Sequence, residues 1–510
     1  MIQSIKELIV VLFISICVFK LTQPVARRYC LESDFKRRCK VWLVLTIAVF
    51  IAPNFWVFAF VATPVLIKLG REDSNPAAAF LFLLFLLPEV SVRIPMIGLS
   101  FLIGLDFHLL LTFFLLVPAA RRLWKDKSGL AVPRLGATDV LLLAYCLLTS
   151  FLFVLPEIGR GILMEKTFTD CLRRVFSSLF GLFVPYFVIS RTSTKRAAVD
   201  DMIASFTIKC TLLAAVAIFE GARHWLLYGE VQSRWGGASG GYLARGGDIR
   251  AMASTGHPLL LGYLLALAFG FWLYLQQGVQ SRASRIIITG LFLFGLMASY
   301  SRGPWLAAVF IYFAFAALGP RGLTKIFKSV AVMSLLGLAV ALSPLGKKVA
   351  SVIPYFGGTV DIGNIEYRDK LFARSWEIIM DQPWFGDQQA FLKMESLRQG
   401  EGIIDLINGY IIILLNNGFV GLSLFLGFVL IASFRAYKVS VGARGSDPEL
   451  SKLGACLVAC ILGCLLLTWG AGLNELMYCV LVGLMVAYVD AGRRLPFRKN
   501  SYPAATPGIK

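Results

Sequence analysis

Apolar residues run in blocks of spanning length, and short basic clusters separate the blocks. The blocks cover residues 5–21, 41–66, 77–87, 101–117, 140–155, 175–189 and 202–228, then 258–276, 286–300, 304–318, 326–342, 407–434, 453–469 and 476–488. A helix of about 20 apolar residues crosses the hydrocarbon core of a bilayer, where no water remains to satisfy open backbone groups. The pattern therefore predicts an all-α polytopic membrane protein with about 12 to 15 transmembrane helices. Residues 41–66 read as a short hairpin broken at Pro53-Asn54.

Basic clusters at residues 27–40, 121–127, 191–196, 282–285, 321–328, 435–444 and 493–499 fall on one side of this threading. The bias of Lys and Arg toward short cytoplasmic loops makes that side the cytoplasm. The other side, the periplasm of a bacterial inner membrane, receives residues 229–256, the Ser301-Arg302-Gly303 turn and a polar insert at residues 344–405. The expected organisation is N-terminal membrane helices (1–136), a membrane core (137–343) carrying the 229–256 loop, and the large periplasmic loop (344–405). C-terminal membrane helices (406–491) and a cytoplasmic tail (492–510) follow.

Composition agrees: 57% of the 510 residues are hydrophobic and 16% charged, with a mean hydropathy of +0.74. The net charge of +20 would suit nucleic acid if it lay on one domain. Spread between apolar runs, it reads as topology, and no nucleic-acid partner is expected. Ten cysteines include no CxxC pair, and the insert has none. Cys456, Cys460 and Cys464 recur on one helical face, as a stripe of small packing residues does. The first apolar run has no A-x-A-like cleavage site behind it and is kept as a membrane anchor. No HExxH, phosphate-binding loop or dinucleotide fingerprint occurs, so neither metal nor cofactor is expected.

The periplasmic side carries arginines against the charge bias: Arg234, Arg245 and Arg250 in the first loop, Arg302 at the turn, and Arg368, Arg374 and Arg398 in the insert. A guanidinium stays charged and holds phosphate through paired hydrogen bonds, which suits a lipid-linked diphosphate. Each could equally pair with a nearby carboxylate. Residues 367–380 read as an amphipathic helix ended by Asp381-Gln382-Pro383 and a turn at Gly386, lying on the membrane or capping the bundle. Glu401 and Asp405, four apart at the end of the insert, suit a general base acting on a sugar hydroxyl, or a helix N-terminal cap. His108, His224 and His257 read as packing or helix-start residues.

Three motifs in this order resemble the O-antigen ligase and polysaccharide polymerase superfamily of bacterial inner-membrane glycosyltransferases. They are Ala298-Ser299-Tyr300-Ser301-Arg302-Gly303-Pro304-Trp305, the stretch from Arg368 to Gly386 with its Pro-x-x-Gly close, and Asn408-x9-Gly418-x-x-Gly421. The resemblance covers residues 141–488. It departs at Ile407, where the ligase pattern has a histidine; isoleucine cannot move a proton.

What the resemblance implies is a C-type glycosyltransferase-like bundle with one large periplasmic loop over a cavity open to the bilayer. The donor would be a glycan on undecaprenyl diphosphate, handled without metal or nucleotide, and a chain-length regulator and a flippase would act in the same pathway. On that basis Arg250, Arg302, Arg368 and Arg374 are expected to bind the diphosphate, with Asp405 or Glu401 as base and Asn408 positioning it or the substrate. The expected activity is a polysaccharide polymerase joining lipid-linked glycans; the alternative is an O-antigen ligase transferring to lipid A core. A lipid-linked oligosaccharide transporter would instead place charges deep within several helices, whereas here the midplane runs are nearly uncharged.

Overall fold

Asparagines and prolines at the borders of the apolar runs decide where the first helices stop and start. α1 (Ile2–Tyr29) and α2 (Glu32–Ile51) precede a break at residues 52–54, and the Asn54 side chain accepts from Val57 N to open α3 (Phe55–Glu72). This is the expected broken hairpin. α4 (Pro76–Leu83) begins on an Asn75 cap and stops after about two turns, short of the helix expected over 77–87. Phe85 there takes the left-handed backbone conformation (φ 61°). The carbonyl freed at Leu84 accepts a 2.6 Å hydrogen bond from the ammonium of Lys209, buried between the Phe85 and Phe206 rings. A helix can end inside an apolar body only where such a partner waits for its open backbone.

The computed structural model describes residues 2–88, 90–95, 101–125, 135–153, 168–191, 196–237, 249–320, 322–341, 362–398, 404, 406 and 408–493. After α4, strands β1 (Val92–Arg93) and β2 (Gly104–Leu105) pair antiparallel, with Val92 opposite Leu105. α5 (Phe107–Leu111) passes through a π-helical turn into α6 (Val117–Lys125), and α7 is Ala137–Leu152. α8 (Phe168–Ser178) joins α9 (Val184–Arg191) through a second π turn. Then come α10 (Arg196–Arg223), α11 (Gly229–Arg234), α12 (Pro258–Leu275), α13 (Arg282–Ala298), α14 (Arg302–Leu318) and α15 (Gly322–Ala341). The insert supplies α16 (Ile362–Asp381), and the chain ends on α17 (Gly409–Gly442), α18 (Pro448–Ala471) and α19 (Glu475–Arg493).

The protein is thus an all-α polytopic membrane protein. Among the described residues, seven helical segments are long and apolar enough to cross a membrane, fewer than the 12 to 15 expected. Charge and length account for part of the gap. α2 carries six charged residues, α3 ends in Lys68, Arg71 and Glu72, and α13 has 17 residues. α10, α12, α18 and α19 form the centre, with little of their surface exposed. The cysteine stripe packs there: a Cβ at Gly270 on α12 would lie 2.5 Å from Cys460 Sγ, and the Cys456 thiol donates to Gly270 O at 3.3 Å. α1 instead turns Ile5, Ile9, Phe13 and Ile16 outward, the outside a bilayer would cover.

At the end carrying the basic loops, Arg38 is 1% exposed and fully engaged. Its guanidinium forks onto Asp73 (2.8 and 2.8 Å) and onto Asp201 (2.7 and 3.1 Å), and donates to Ser205 Oγ at 2.8 Å. Asn75 Nδ2 closes the ring by donating to Asp201 at 3.0 Å. This one arginine therefore ties α2, the α3–α4 turn and α10 together, a structural task that the topological reading of the positive charge did not foresee.

Candidate functional site

At the opposite end of the bundle, the last turn of α10 carries Glu220, fully buried. Its carboxylate accepts from the backbone N–H of Leu227 (3.0 Å), Met252 (2.9 Å) and Ala253 (2.8 Å), holding the 249–257 segment against the helix end. Ala251 N then donates to Ala298 O at 3.0 Å, and Arg250, itself buried, donates to Ser301 Oγ (2.8 Å) and Ser299 O (3.3 Å). The Ala298–Trp305 stretch is a tight junction between α13 and α14: Tyr300 has φ 47°, and Trp305 Nε1 donates back to Leu296 O. A Cβ at Gly262 on α12 would lie 2.8 Å from Pro304, so the close approach needs glycine. Arg302 opens α14, partly exposed, with no hydrogen bond or ion pair among the described residues. Arg250 and Arg302 thus meet at one junction, the first as its brace and the second as a cation with no partner among the described residues.

The second assembly joins the two later motifs. α17 is interrupted at Gly418, whose φ 61°, ψ −166° lies in a region essentially reserved for glycine. The break frees backbone groups on both sides, and the Pro383–Gly386 turn takes them up. Phe419 N donates to Pro383 O (2.8 Å) and Val420 N to Trp384 O (3.1 Å), while Asp387 N donates to Leu415 O (2.6 Å) and Gln388 Nε2 to Asn416 O. A Cβ at Gly418 would fall 2.3 Å from the Trp384 carbonyl, and one at Gly386, where φ is 70°, 2.4 Å from Leu415 O. Both glycines are required by one backbone-to-backbone dock.

α16 reaches this dock as the amphipathic helix the spacing predicted. Leu371, Ile378 and Ile379 pack with Met394, Ile411 and Leu415, so the helix caps the bundle. Phe372, Trp376 and Met380 face outward, the two rings stacked at 6.3 Å. The insert's arginines differ in their surroundings. Arg374 pairs with Glu377 (2.8 Å) and Arg398 with Glu395 (2.6 Å), both pairs exposed. Hydrogen bonding from Arg398 holds the Glu395 carboxyl below its usual range. Arg368 is exposed, with no partner among the described residues. Asn408 serves as the N-cap of α17, its Oδ1 accepting from Tyr410 N (3.0 Å) and Ile411 N (3.4 Å). His257 likewise caps α12 through Nδ1. Arg245, Glu401, Asp405 and Ile407 lie outside the described residues.

Beside the dock is a polar cavity of about 290 Å³, lined by Gln388 from the docked turn and Asn416 and Asn417 from the break together with Thr149, Arg174 and Glu475. Tyr145 OH donates to Glu475 Oε1 at 2.8 Å, and the Arg174 guanidinium lies 5.4 Å from the Phe153 ring centroid. None of Tyr145, Arg174, Gln388 and Glu475 was singled out from the sequence. The signal for Arg174 was available: with Arg173 it precedes the apolar run 175–189 on the side that the charge bias leaves poor in cations.

Residues 287–426 match the family model described as O-antigen ligase. The matched stretch contains the α13–α14 junction, the insert and the dock at Gly418, so it covers both motif assemblies, but neither Arg174 nor Glu475. It bears out the resemblance to the O-antigen ligase superfamily and supports a glycosyltransferase-type role in glycan assembly. No curated protein matches the chain.

Proposed function

We propose that this protein is a periplasm-facing polysaccharide polymerase of the bacterial inner membrane, joining undecaprenyl-diphosphate-linked glycans during surface or exopolysaccharide assembly. The observation that carries the proposal is the polar cavity beside the Gly418 dock, where Asn416 and Asn417 of the Asn408–Gly421 motif meet Arg174, a cation with no ion pair among the described residues. A lipid-diphosphate leaving group needs cations placed where its charge develops, and Arg302 and Arg174 are cations of that kind. Such a reaction needs no metal, because the guanidinium groups meet the charge, and orientation of the acceptor beside the donor supplies much of the rest.

The matched family's description favours a second reading, an O-antigen ligase that transfers the glycan to lipid A core. One experiment separates the two. The purified protein in lipid is given a short undecaprenyl-diphosphate glycan as sole substrate, and products are resolved by size. A ladder is the expected result; transfer seen only once lipid A core is added would identify a ligase, and no transfer to either acceptor would overturn both readings.

A further inference from the structure

We propose that Glu475 is the general base that takes the proton from the acceptor hydroxyl, with Arg174 meeting the departing diphosphate in the same cavity. The inference rests on the transfer reading above and adds a named proton acceptor to it. Among the described residues lining the cavity, Glu475 carries the one carboxylate and Arg174 the one cation. No ion pair joins them. Opposite charges that share a cavity without contact leave room for a ligand between them, and 290 Å³ is close to the lower bound of about 300 Å³ for small-ligand pockets.

The placement of Glu475 suits the task. Gly472 (φ 83°) turns the chain between α18 and α19, and Asn474 Oδ1 accepts from Met477 N at 3.1 Å. Asn474 thus does the capping, and Glu475 is not consumed by it. One carboxylate oxygen is oriented by the Tyr145 hydroxyl, and the other has no hydrogen bond among the described residues. Glu475 also lines a small, mostly apolar void with Leu142, Leu182, Phe425 and Phe428, so it stands between hydrocarbon and the polar cavity. Asn416, Asn417 and Gln388 line that cavity with hydrogen-bonding groups of the sort that hold sugar hydroxyls.

The step balances without a further reactant. The acceptor O–H proton passes to Glu475, and the acceptor oxygen bonds to the anomeric carbon. The bond from that carbon to the phosphate oxygen breaks, its electron pair leaving with the lipid diphosphate beside Arg174. Water then takes the proton from Glu475.

The test uses the full chain in lipid with the short lipid-linked glycan. Glu475→Gln is expected to lower kcat by about 100- to 10,000-fold with KM for the lipid-linked substrate changed less than about threefold. Glu475→Asp should restore a measurable rate. Tyr145→Phe keeps the carboxylate but frees the oxygen that the hydroxyl orients, so kcat should fall by about tenfold with KM little changed. If the glutamine variant is not recovered folded, the split between kcat and KM in the aspartate and phenylalanine variants decides alone. A glutamine variant that transfers at the wild-type rate, or wild-type kcat in both other variants, would overturn the assignment while leaving the transfer reading intact. A wild-type protein that transfers to neither acceptor would overturn the transfer reading, and this assignment with it.

Discussion

Arg38 and Arg302 are the same residue type at opposite ends of the bundle, and they differ in what surrounds the guanidinium. α10 links the two regions, with Asp201 in its first turns and Glu220 in its last, about 30 Å apart along the helix. Around Arg38 two carboxylates, a serine and an asparagine close every valence in a buried ring. Around Arg302 the backbone is just as tightly held, by Arg250, Ser301 and Trp305, yet the guanidinium itself has no partner among the described residues. A saturated cluster is a fastening; a rigid frame around an unsaturated cation is a place for an anion to bind. Exposure alone does not make the distinction, because Arg374 is exposed and paired.

Breaking the closed ring should have the largest effect. Arg38→Ala leaves Asp73 and Asp201 buried without their counter-charge, which typically costs about 3–5 kcal/mol. The expected outcome is a sharp loss of recoverable protein and a lowered midpoint of thermal unfolding in detergent. Arg302→Ala should do the converse: an unchanged unfolding midpoint, and transfer slowed by about 100- to 1,000-fold, as for loss of one preorganised charge-stabilising donor. Gly418→Ala tests the frame between these extremes. Its glycine-only backbone angles imply a cost of about 1–3 kcal/mol, and the clash with Trp384 should undock the 383–386 turn, so unfolding midpoint and transfer should fall together. Arg374→Ala removes an exposed i,i+3 pair and should cost at most about 1 kcal/mol, with transfer unchanged.

Much of the helical frame was legible because apolar runs and helices share their causes. The break at Pro53-Asn54, the start at Pro258 and the amphipathic α16 all follow from local residue chemistry. Where tertiary partners decided, the sequence was silent. α4 stops at Leu83 because Lys209, some 125 positions on, supplies a donor in mid-bundle, and no local pattern announces that. The site divides in the same way. Gly386 and Gly418 were visible as motif residues, whereas their mutual dock, which explains both, is a contact across about 30 positions. Asn408 was read as a site residue and proves to be spending its side-chain oxygen on a helix cap. Glu475 escaped notice because an acidic residue in a first helical turn looks like ordinary dipole compensation until Tyr145 and the cavity are seen beside it.

On the proposed function, the open cation at the α13–α14 junction serves glycan transfer rather than the fold. Its most direct test is to run wild-type protein and Arg302→Ala, matched for unfolding midpoint, against the short lipid-diphosphate glycan in lipid and to resolve the products by size. The wild type is expected to give a ladder and the folded variant almost none. Equal ladders from the two proteins would contradict it.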